Sequence, residues 1–229
     1  MRCFGFEILR HRRLTPGPAS TIRRAVITVI DYRMGNVGSI ANMIAKVGGK
    51  AEITSDPDRL RSANKLILPG VGHFDRGMSN LEELGLVPVL HEIVVERRVS
   101  VFGICLGMQL MCRSSQEGDR EGLGWVDAEV RRFDPAAHPG MKVPHMGWNV
   151  ATPVKESPLF DMIPSEPQRF YFVHSYFVEC LDPADVLAKT THQREFCSAF
   201  LHENIFGVQF HPEKSHVFGM DLFRRFAEL

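Results

Sequence analysis

One stretch decides how the chain folds: Val101-Phe102-Gly103-Ile104-Cys105-Leu106-Gly107-Met108-Gln109. An apolar strand pattern ends on a cysteine between two glycines, and a helical pattern begins at once. This G-x-C-x-G arrangement is the cysteine counterpart of the G-x-S-x-G turn that presents a nucleophile between a strand and a helix. The turn strains the backbone, and its glycines allow neighbouring segments to approach closely. The alternative interpretation is a buried structural cysteine in a tight turn.

Cys105 is therefore a candidate nucleophile. At a helix N-terminus the helix dipole favours the thiolate over the thiol. The backbone N–H of Leu106 is predicted to face the reacting carbonyl and to stabilise the charge that develops on its oxygen.

Short apolar runs alternate with helical patterns on either side of this stretch. The order β-α-β-α indicates a parallel sheet with helices on both faces, whose functional residues follow the carboxyl ends of the strands. We predict an α/β fold with a mostly parallel central sheet flanked by helices and additional antiparallel strands in the C-terminal half. The predicted strands are Ala25–Ile30, Ala51–Ile53, Lys65–Leu68, Ser100–Ile104, Ala128–Phe133, Phe170–His174, Val186–Thr190, Ser198–Leu201 and Phe206–Gln209. The predicted helices are Asn36–Val47, Val87–Arg97 and Met220–Glu228.

Composition excludes several classes of protein. Of 229 residues, 44% are hydrophobic and 24% charged, and the formal net charge is zero, so no general attraction to nucleic acid or anionic membranes is expected. No apolar run approaches the roughly 20 residues that span a bilayer. The five cysteines are odd in number and lack C-x-x-C spacing, which favours a reducing cytoplasm.

The first 24 residues differ in composition from the rest. They contain six arginines against one acid, Glu7. Such a start is typical of a transit peptide or a basic arm, and also of a start codon assigned too early, since Val26 opens the first clear strand. The predicted organisation is a basic extension, disordered or not native, over residues 1–24 and one domain over residues 25–229.

A second signal, Gly207-Val208-Gln209-Phe210-His211-Pro212-Glu213, follows an apolar strand near the C-terminus. A thiol nucleophile needs a base, and histidine is the usual one. The histidine needs an orienting acceptor, which Glu213 can supply. A lone histidine here would more often be a surface or capping residue; the cysteine turn elsewhere in the chain favours the catalytic interpretation.

These motifs carry a resemblance. GICLGMQL, GVQFHPEKS and LILPGVG (Leu66–Gly72) resemble the class I, triad-type glutamine amidotransferases. Within them, PHMGWN (Pro144–Asn149), YFVHSY (Tyr171–Tyr176) and the opening Asp31-Tyr32 with Met34-Gly35-Asn36 resemble the HisH subunits of imidazole glycerol phosphate synthase. The resemblance extends from about Val26 to the C-terminus.

The resemblance implies a role for each matching residue. Cys105 would attack the amide of glutamine, His211 would transfer the proton, and Glu213 would orient His211. The oxyanion would be stabilised by the loop Gly70, Val71 and Gly72 together with Leu106. The residues implied to hold glutamine are Gln109, Glu117, Ser175 and Tyr176. The residues implied to face the partner subunit, and to lie near the passage of ammonia, are Asn36, Met146, Trp148, Tyr171 and Lys214.

The implied partner is a HisF-type cyclase subunit in a heterodimer. It would receive ammonia to form imidazole glycerol phosphate and an aminoimidazole carboxamide ribotide in histidine biosynthesis. Neither a cofactor nor a metal is expected: His145 and His174, for example, have no paired ligand at metal spacing.

Simpler interpretations remain for several of these residues. Trp148 and Tyr171 are also consistent with core aromatics, Ser175 and Tyr176 with a strand end, and Lys214 with a solvated surface charge.

Other functions also stay open. Arg33 stands where the family usually has glycine, and it is strained if the backbone there needs positive φ. The stretches Gly38–Ile40, Gly124–Ala128 and Lys214–His216 resemble a paralogous branch that supplies ammonia for sugar amidation in surface polysaccharides. A stand-alone cysteine hydrolase would need no His-Pro-Glu motif. A binding subunit without activity would typically have lost Cys105 or His211.

Overall fold

The computed structural model describes residues 26–162, 164 and 166–229. The predicted basic extension, residues 1–24, and Ala25 at the start of the first predicted strand lie outside the described residues. No described helix is long and apolar enough to cross a membrane.

The described residues form thirteen β-strands and six α-helices. The strands are β1 (Val26–Ile30), β2 (Lys50–Thr54), β3 (Lys65–Leu68), β4 (Ser100–Ile104), β5 (Ser114–Ser115), β6 (Ala128–Arg132), β7 (His145–Val150), β8 (Thr152–Pro153), β9 (Arg169–His174), β10 (Tyr176–Cys180), β11 (Val186–His192), β12 (Arg194–His202) and β13 (Ile205–Val208). The helices are α1 (Val37–Lys46), α2 (Pro57–Arg61), α3 (Phe74–Glu83), α4 (Leu86–His91), α5 (Leu106–Leu110) and α6 (His216–Glu228), and a π-helical turn (Glu92–Glu96) continues α4.

The main sheet is parallel at one side and largely antiparallel at the other. Its order is β2-β1-β3-β4-β13-β12-β10-β6-β5, with β11 pairing β12 and β8. Strands β2, β1, β3, β4 and β13 run parallel, whereas β12 pairs antiparallel with β13, β11 and β10. Strands β7 and β9 form a separate antiparallel pair. This arrangement confirms the predicted fold class. The carboxyl ends of β3, β4 and β13 therefore meet at one edge, where a functional site is expected.

Alternating side chains of the parallel strands build a core on each face of the sheet. Val101 packs with the helices α2, α3 and α4, whereas Phe102 packs with α1 and α6. The ring of Phe102 lies 5.3 Å from that of Phe226 and 6.3 Å from that of Phe223, measured between centroids. Burying such a side chain contributes about 1.5–3 kcal/mol, so the central strand that leads to Cys105 is fixed on both faces.

Some elements differ from the sequence prediction. The closing helix begins at His216 instead of Met220, and the predicted helix Val87–Arg97 changes to π-helical geometry at Glu92. Helix α3 and strands β7 and β10 are additional to the predicted elements. Strand β7 alternates in the opposite sense to an ordinary half-buried strand: the polar His145 is buried, whereas the apolar Met146 and Trp148 are exposed.

Candidate active site

Cys105 lies in a strained turn between β4 and α5. Its backbone φ is 54° and its ψ is −109°, a conformation that residues other than glycine rarely adopt. The Cys105 N–H donates a hydrogen bond to the Val208 carbonyl oxygen at 2.8 Å, which ties the turn to the end of β13. The turn has the geometry expected from the sequence, and the side chain is only 8% exposed.

The glycines around Cys105 are required by close backbone packing. A Cβ atom on Gly107 would lie 1.9 Å from the Leu68 carbonyl oxygen, and one on Gly70 would lie 2.7 Å from the Gly107 nitrogen. The buried Tyr32 hydroxyl donates a hydrogen bond of 2.5 Å to the Pro69 carbonyl oxygen. The loop containing Gly70, Val71 and Gly72 is thereby held directly against the cysteine turn.

His211 and Glu213 form a buried pair just after β13. His211 Nδ1 lies 2.8 Å from Glu213 Oε1, and the two side chains are 1% and 4% exposed. His211 Nε2 is buried and has no hydrogen-bond partner of its own among the described residues. Burial alone would lower the pKa of His211, but Cys105 and Glu213 beside it raise that pKa to about 10. The imidazole is therefore poised to hold a proton next to the sulfur.

Backbone contacts join this histidine to β9. The His211 N–H donates to the Tyr171 carbonyl oxygen at 2.9 Å. The Ser215 hydroxyl donates to the His211 carbonyl oxygen at 2.6 Å and accepts from the Tyr171 N–H at 3.0 Å. A shift of β9 would therefore be transmitted directly to His211.

Three of the residues implied to face a partner lie together: Trp148 and Tyr171 pair across β7 and β9, and Lys214 lies in the turn that follows His211. The Trp148 and Tyr171 ring centroids are 6.2 Å apart, and Lys214 Nζ lies 5.8 Å above the Tyr171 ring. Met146 and Trp148 are 62% and 44% exposed, so the interpretation of Trp148 as a core aromatic is wrong. Asn36 lies at the start of α1, where its side chain accepts a hydrogen bond from the Ser39 N–H.

The residues implied to hold glutamine fall into two groups. Gln109 Nε2 donates to the Tyr176 carbonyl oxygen at 3.3 Å, and the Ser175 carbonyl oxygen accepts from the Phe133 N–H at 3.1 Å. Glu117 lies at the N-terminus of α3, where its carboxylate accepts from the Phe74 N–H at 2.8 Å. Ser175 and Tyr176 therefore lie at the start of β10, and Gln109 of α5 contacts Tyr176 there. Glu117 lies apart from this group, beside α3.

Comparison with known proteins identifies the family. Residues 28–228 match the family described as glutamine amidotransferase class-I. The chain belongs to the class I glutamine amidotransferases.

Several members of this family are similar over nearly their whole length. The chain is 52% identical over 203 residues to "Imidazole glycerol phosphate synthase subunit HisH 2" of Methanococcus maripaludis, which covers 89% of this chain and 99% of the relative. It is 48% identical over 204 residues to the protein of the same name from Pseudomonas aeruginosa, covering 89% and 100%. It is 43% identical over 205 residues to the HisH subunit of Bdellovibrio bacteriovorus, covering 89% and 100%.

Solved structures show the same fold. A protein described as a glutamine amidotransferase superimposes with a TM-score of 0.70 at 17% identity, covering 90% of this chain and all of that one. A protein in the structure of PurLQS from Thermotoga maritima gives a TM-score of 0.63 at 16% identity, covering 89% and 96%.

Sequence reasoning missed one residue beside the sulfur of this amidotransferase. Gln209 is fully buried, and its Nε2 lies 3.7 Å from Cys105 Sγ. The sequence patterns place it only as the last residue of a predicted strand. A polar residue two positions before His211, inside an otherwise apolar run, is the signal that could have revealed it.

Replacing Glu213 with glutamine is expected to lower the pKa of His211. Without the carboxylate, burial opposes the proton and only Cys105 still favours it, so the pKa should fall from about 10 toward its ordinary value of 6.5. A proton-detected titration of the His211 ring measures this. Because the folded-state pKa is raised, the stability that the pair contributes is fully present below about pH 6.5 and is lost as the pH rises through about 10.

The same substitution should slow glutamate release by about 10²–10⁴-fold, since an orienting carboxylate usually matters less than the nucleophile. Glu195→Gln is the matched control, because Glu195 is an exposed surface residue that pairs with Lys189. An unchanged pKa of His211 in Glu213→Gln would contradict the assignment of Glu213 as the group that stabilises the protonated imidazole.

Proposed function

We propose that this chain is the glutaminase subunit of an imidazole glycerol phosphate synthase, which hydrolyses glutamine and passes the ammonia to a HisF-type cyclase subunit. The observation that carries the proposal is the buried pair of His211 and Glu213 beside a strained Cys105, in a chain 52% identical to a HisH subunit. The reaction follows from the chemistry of these three side chains.

The Cys105 thiolate attacks the side-chain amide carbon of glutamine and forms a tetrahedral adduct. His211 gives its proton to the departing nitrogen, so that ammonia leaves and a thioester to Cys105 remains. A water molecule then attacks the thioester; His211 takes its proton, and glutamate leaves as the thiolate is restored. Glu213 keeps the imidazole ring oriented throughout.

The negative charge on the adduct oxygen needs donors aimed at it. The Leu106 N–H at the start of α5 supplies one, and the loop of Gly70, Val71 and Gly72, packed against the same turn, supplies the other. Gln109, Glu117, Ser175 and Tyr176 hold the remaining polar groups of glutamine in this proposal. No cofactor or metal takes part.

The cyclase docks on the face that carries Met146, Trp148, Tyr171 and Lys214, with Asn36 nearby. Exposed methionine and tryptophan side chains are typical of the centre of a protein interface. The His211 N–H donates to the Tyr171 carbonyl oxygen and the Ser215 hydroxyl donates to the His211 carbonyl oxygen, which connects this face with the catalytic histidine. We assign the function to one domain, residues 25–229, and expect it to act in the reducing cytoplasm, where the Cys105 sulfur is not oxidised.

A second candidate is the supply of ammonia for sugar amidation by the paralogous branch. Two features of the proposed partner side favour it. Arg33 has a φ of 67° where the family usually has glycine, and it pairs with Glu83 at 3.5 Å. His216, from one of the stretches that resemble this branch, stacks on Trp148 with centroids 5.4 Å apart and planes inclined by 5°. Both would alter the surface that a cyclase-type partner meets.

The experiment that separates the two candidates is reconstitution. The purified chain is mixed with a HisF-type cyclase, glutamine and the phosphoribulosyl-formimino nucleotide, and imidazole glycerol phosphate is measured. Glutamine-dependent formation of that product supports the histidine pathway. Glutamate release without transfer to that acceptor in an assembled complex would favour the sugar candidate, and no glutamate release in any mixture would overturn the glutaminase assignment itself.

A further inference from the structure

We propose that Gln209 is a further catalytic residue, which donates a hydrogen bond to the Cys105 sulfur and holds it as the thiolate. The inference rests on the proposed glutaminase function and adds a group outside the Cys105-His211-Glu213 triad. Gln209 is fully buried, and its Nε2 lies 3.7 Å from Cys105 Sγ, a normal length for a hydrogen bond to sulfur.

The orientation of the Gln209 amide follows from its neighbours. The Tyr176 carbonyl oxygen can only accept hydrogen bonds, so the amide group of Gln109 at 3.3 Å must present its nitrogen to it. That nitrogen also lies 3.0 Å from the Gln209 side-chain oxygen, to which it donates its second hydrogen. The Gln209 oxygen is thereby fixed toward Gln109, and the Gln209 nitrogen must face Cys105.

The Tyr176 carbonyl oxygen is itself held by a buried histidine pair. His174 Nδ1 lies 2.7 Å from this oxygen, so the ring must carry a hydrogen on Nδ1 to donate to it. Burial, chiefly, lowers the pKa of His174 to about 3 and that of His145 to about 4, so both rings are neutral near pH 7. His174 Nε2 therefore accepts from His145 Nδ1 at 2.9 Å. His145 Nε2 in turn accepts from the Asn149 amide at 3.1 Å.

Each hydrogen bond in this network therefore has only one possible donor. One arm runs from Asn149 through His145 and His174 to the Tyr176 carbonyl oxygen, and the other runs from that oxygen through Gln109 and Gln209 to Cys105. A thiolate is a far better acceptor than a thiol, and charge-assisted hydrogen bonds are stronger than neutral ones. A donor fixed in this way therefore favours the reactive form of the nucleophile.

Besides the Gln209 amide, which does not titrate, two titratable groups act on the sulfur. His211 pairs with it electrostatically, and the buried Tyr32 hydroxyl lies close enough for Cys105 to raise its pKa further above the effect of burial. Neither is altered by Gln209→Met, which also adds no charge, so a changed reactivity of the sulfur in that variant can be assigned to the lost donor.

The test is the pH dependence of Cys105 alkylation by iodoacetamide, followed by mass spectrometry of the Cys105 peptide. Gln209→Met keeps an unbranched side chain of similar length but has no donor. The midpoint of its alkylation profile is expected to rise by about one to two pH units, the usual worth of a hydrogen bond to a charged group. Its kcat for glutamate release should fall about 10–100-fold, with a smaller change in KM.

Gln209→Glu provides the second variant, because it can still accept from Gln109 but its carboxylate cannot donate to the sulfur. It should raise the midpoint at least as far as Gln209→Met. Asn64→Asp, at an exposed position just before β3 and therefore at the opposite end of the parallel strands from Cys105, makes the same change of charge and should keep the wild-type profile. Thermal melting shows whether each variant is folded. If Gln209→Met does not fold, Gln209→Leu takes its place, because it also lacks a donor and adds no charge.

A wild-type alkylation profile in a folded Gln209 variant would overturn the proposal, because the thiolate of Cys105 would then be equally stable without the hydrogen bond from Gln209. This outcome is distinct from a failure of the proposed function. A wild-type chain that releases no glutamate would refute the glutaminase assignment, whereas the alkylation profiles would still report whether Gln209 holds the thiolate.

Discussion

Replacing Cys105 with alanine is expected to lower glutamine hydrolysis by about 10⁴-fold or more, since the thioester can then no longer form. No other described cysteine can substitute for it. Burial raises the pKa of Cys112, and a hydrogen bond with Cys180 together with burial raises that of Cys197, so these thiols are poor nucleophiles. Among the described cysteines, only Cys105 combines a positive φ with a place beside the buried His211-Glu213 pair, whose histidine it influences directly. Glutamate release with saturating glutamine measures the effect.

The same variant should keep the reaction that is driven by added ammonia. The acceptor site is proposed to lie on the cyclase subunit, so removing the thiol leaves that half of the reaction intact. Cys180→Ser is the matched control, because Cys180 is a partly exposed cysteine on β10, and it should retain both activities. Loss of both activities in Cys105→Ala, in a complex that still assembles, would contradict the division of labour between the two subunits.

The parallel half of the fold could be predicted because its signals are local. Apolar runs such as Lys65–Leu68 and Ser100–Ile104 are buried on both faces, and each is bounded by turn residues. The structure reproduces both ranges without change. The cysteine turn was likewise predictable, since Gly103, Cys105 and Gly107 fix its geometry within five residues.

Long-range contacts account for what the sequence did not predict. Helix α3 is capped in part by Glu117, whose partner Phe74 is 43 residues earlier in the chain. The sequence pattern indicates only a strand residue at Gln209, because its contacts, Cys105 and Gln109, are 104 and 100 residues away. At Arg33 the sequence left the backbone angle open, and the structure supplies it: φ is 67°, so the condition for strain at this arginine is met.

The loop of Gly70, Val71 and Gly72, which is proposed to complete the oxyanion hole, is expected to control the rate of glutamine hydrolysis. Its first part is fixed, because the Tyr32 hydroxyl binds the Pro69 carbonyl oxygen and a Cβ atom on Gly70 would meet Leu106 Cβ at 2.7 Å. Its second part is freer: Val71 is 50% exposed. Gly72 has a φ of 127°, where a glycine peptide can turn over at little steric cost. A peptide that can face either way is a two-state element that a docked partner can bias.

We therefore expect the isolated chain to be a poor glutaminase. Lacking one oxyanion donor typically costs about 10²–10³-fold in turnover. Glutamate release is measured for the chain alone, then with the cyclase, then with the cyclase and an analogue of its acceptor. The last addition should raise the rate by about 100-fold or more if the loop peptide is the switch.

Gly72→Val tests whether the loop itself is responsible for this stimulation. A β-branched residue is strongly disfavoured at a φ of 127°, and its Cβ would lie 2.8 Å from the end of the Met34 side chain. The variant should therefore lose far more of the stimulated rate than of the basal rate. Gly140→Val is the matched control, because Gly140 also has positive φ, at 88°, but no atom would lie within 4 Å of its Cβ. Full activity in the isolated wild-type chain would refute the switch, because a complete oxyanion hole would then exist before any partner binds.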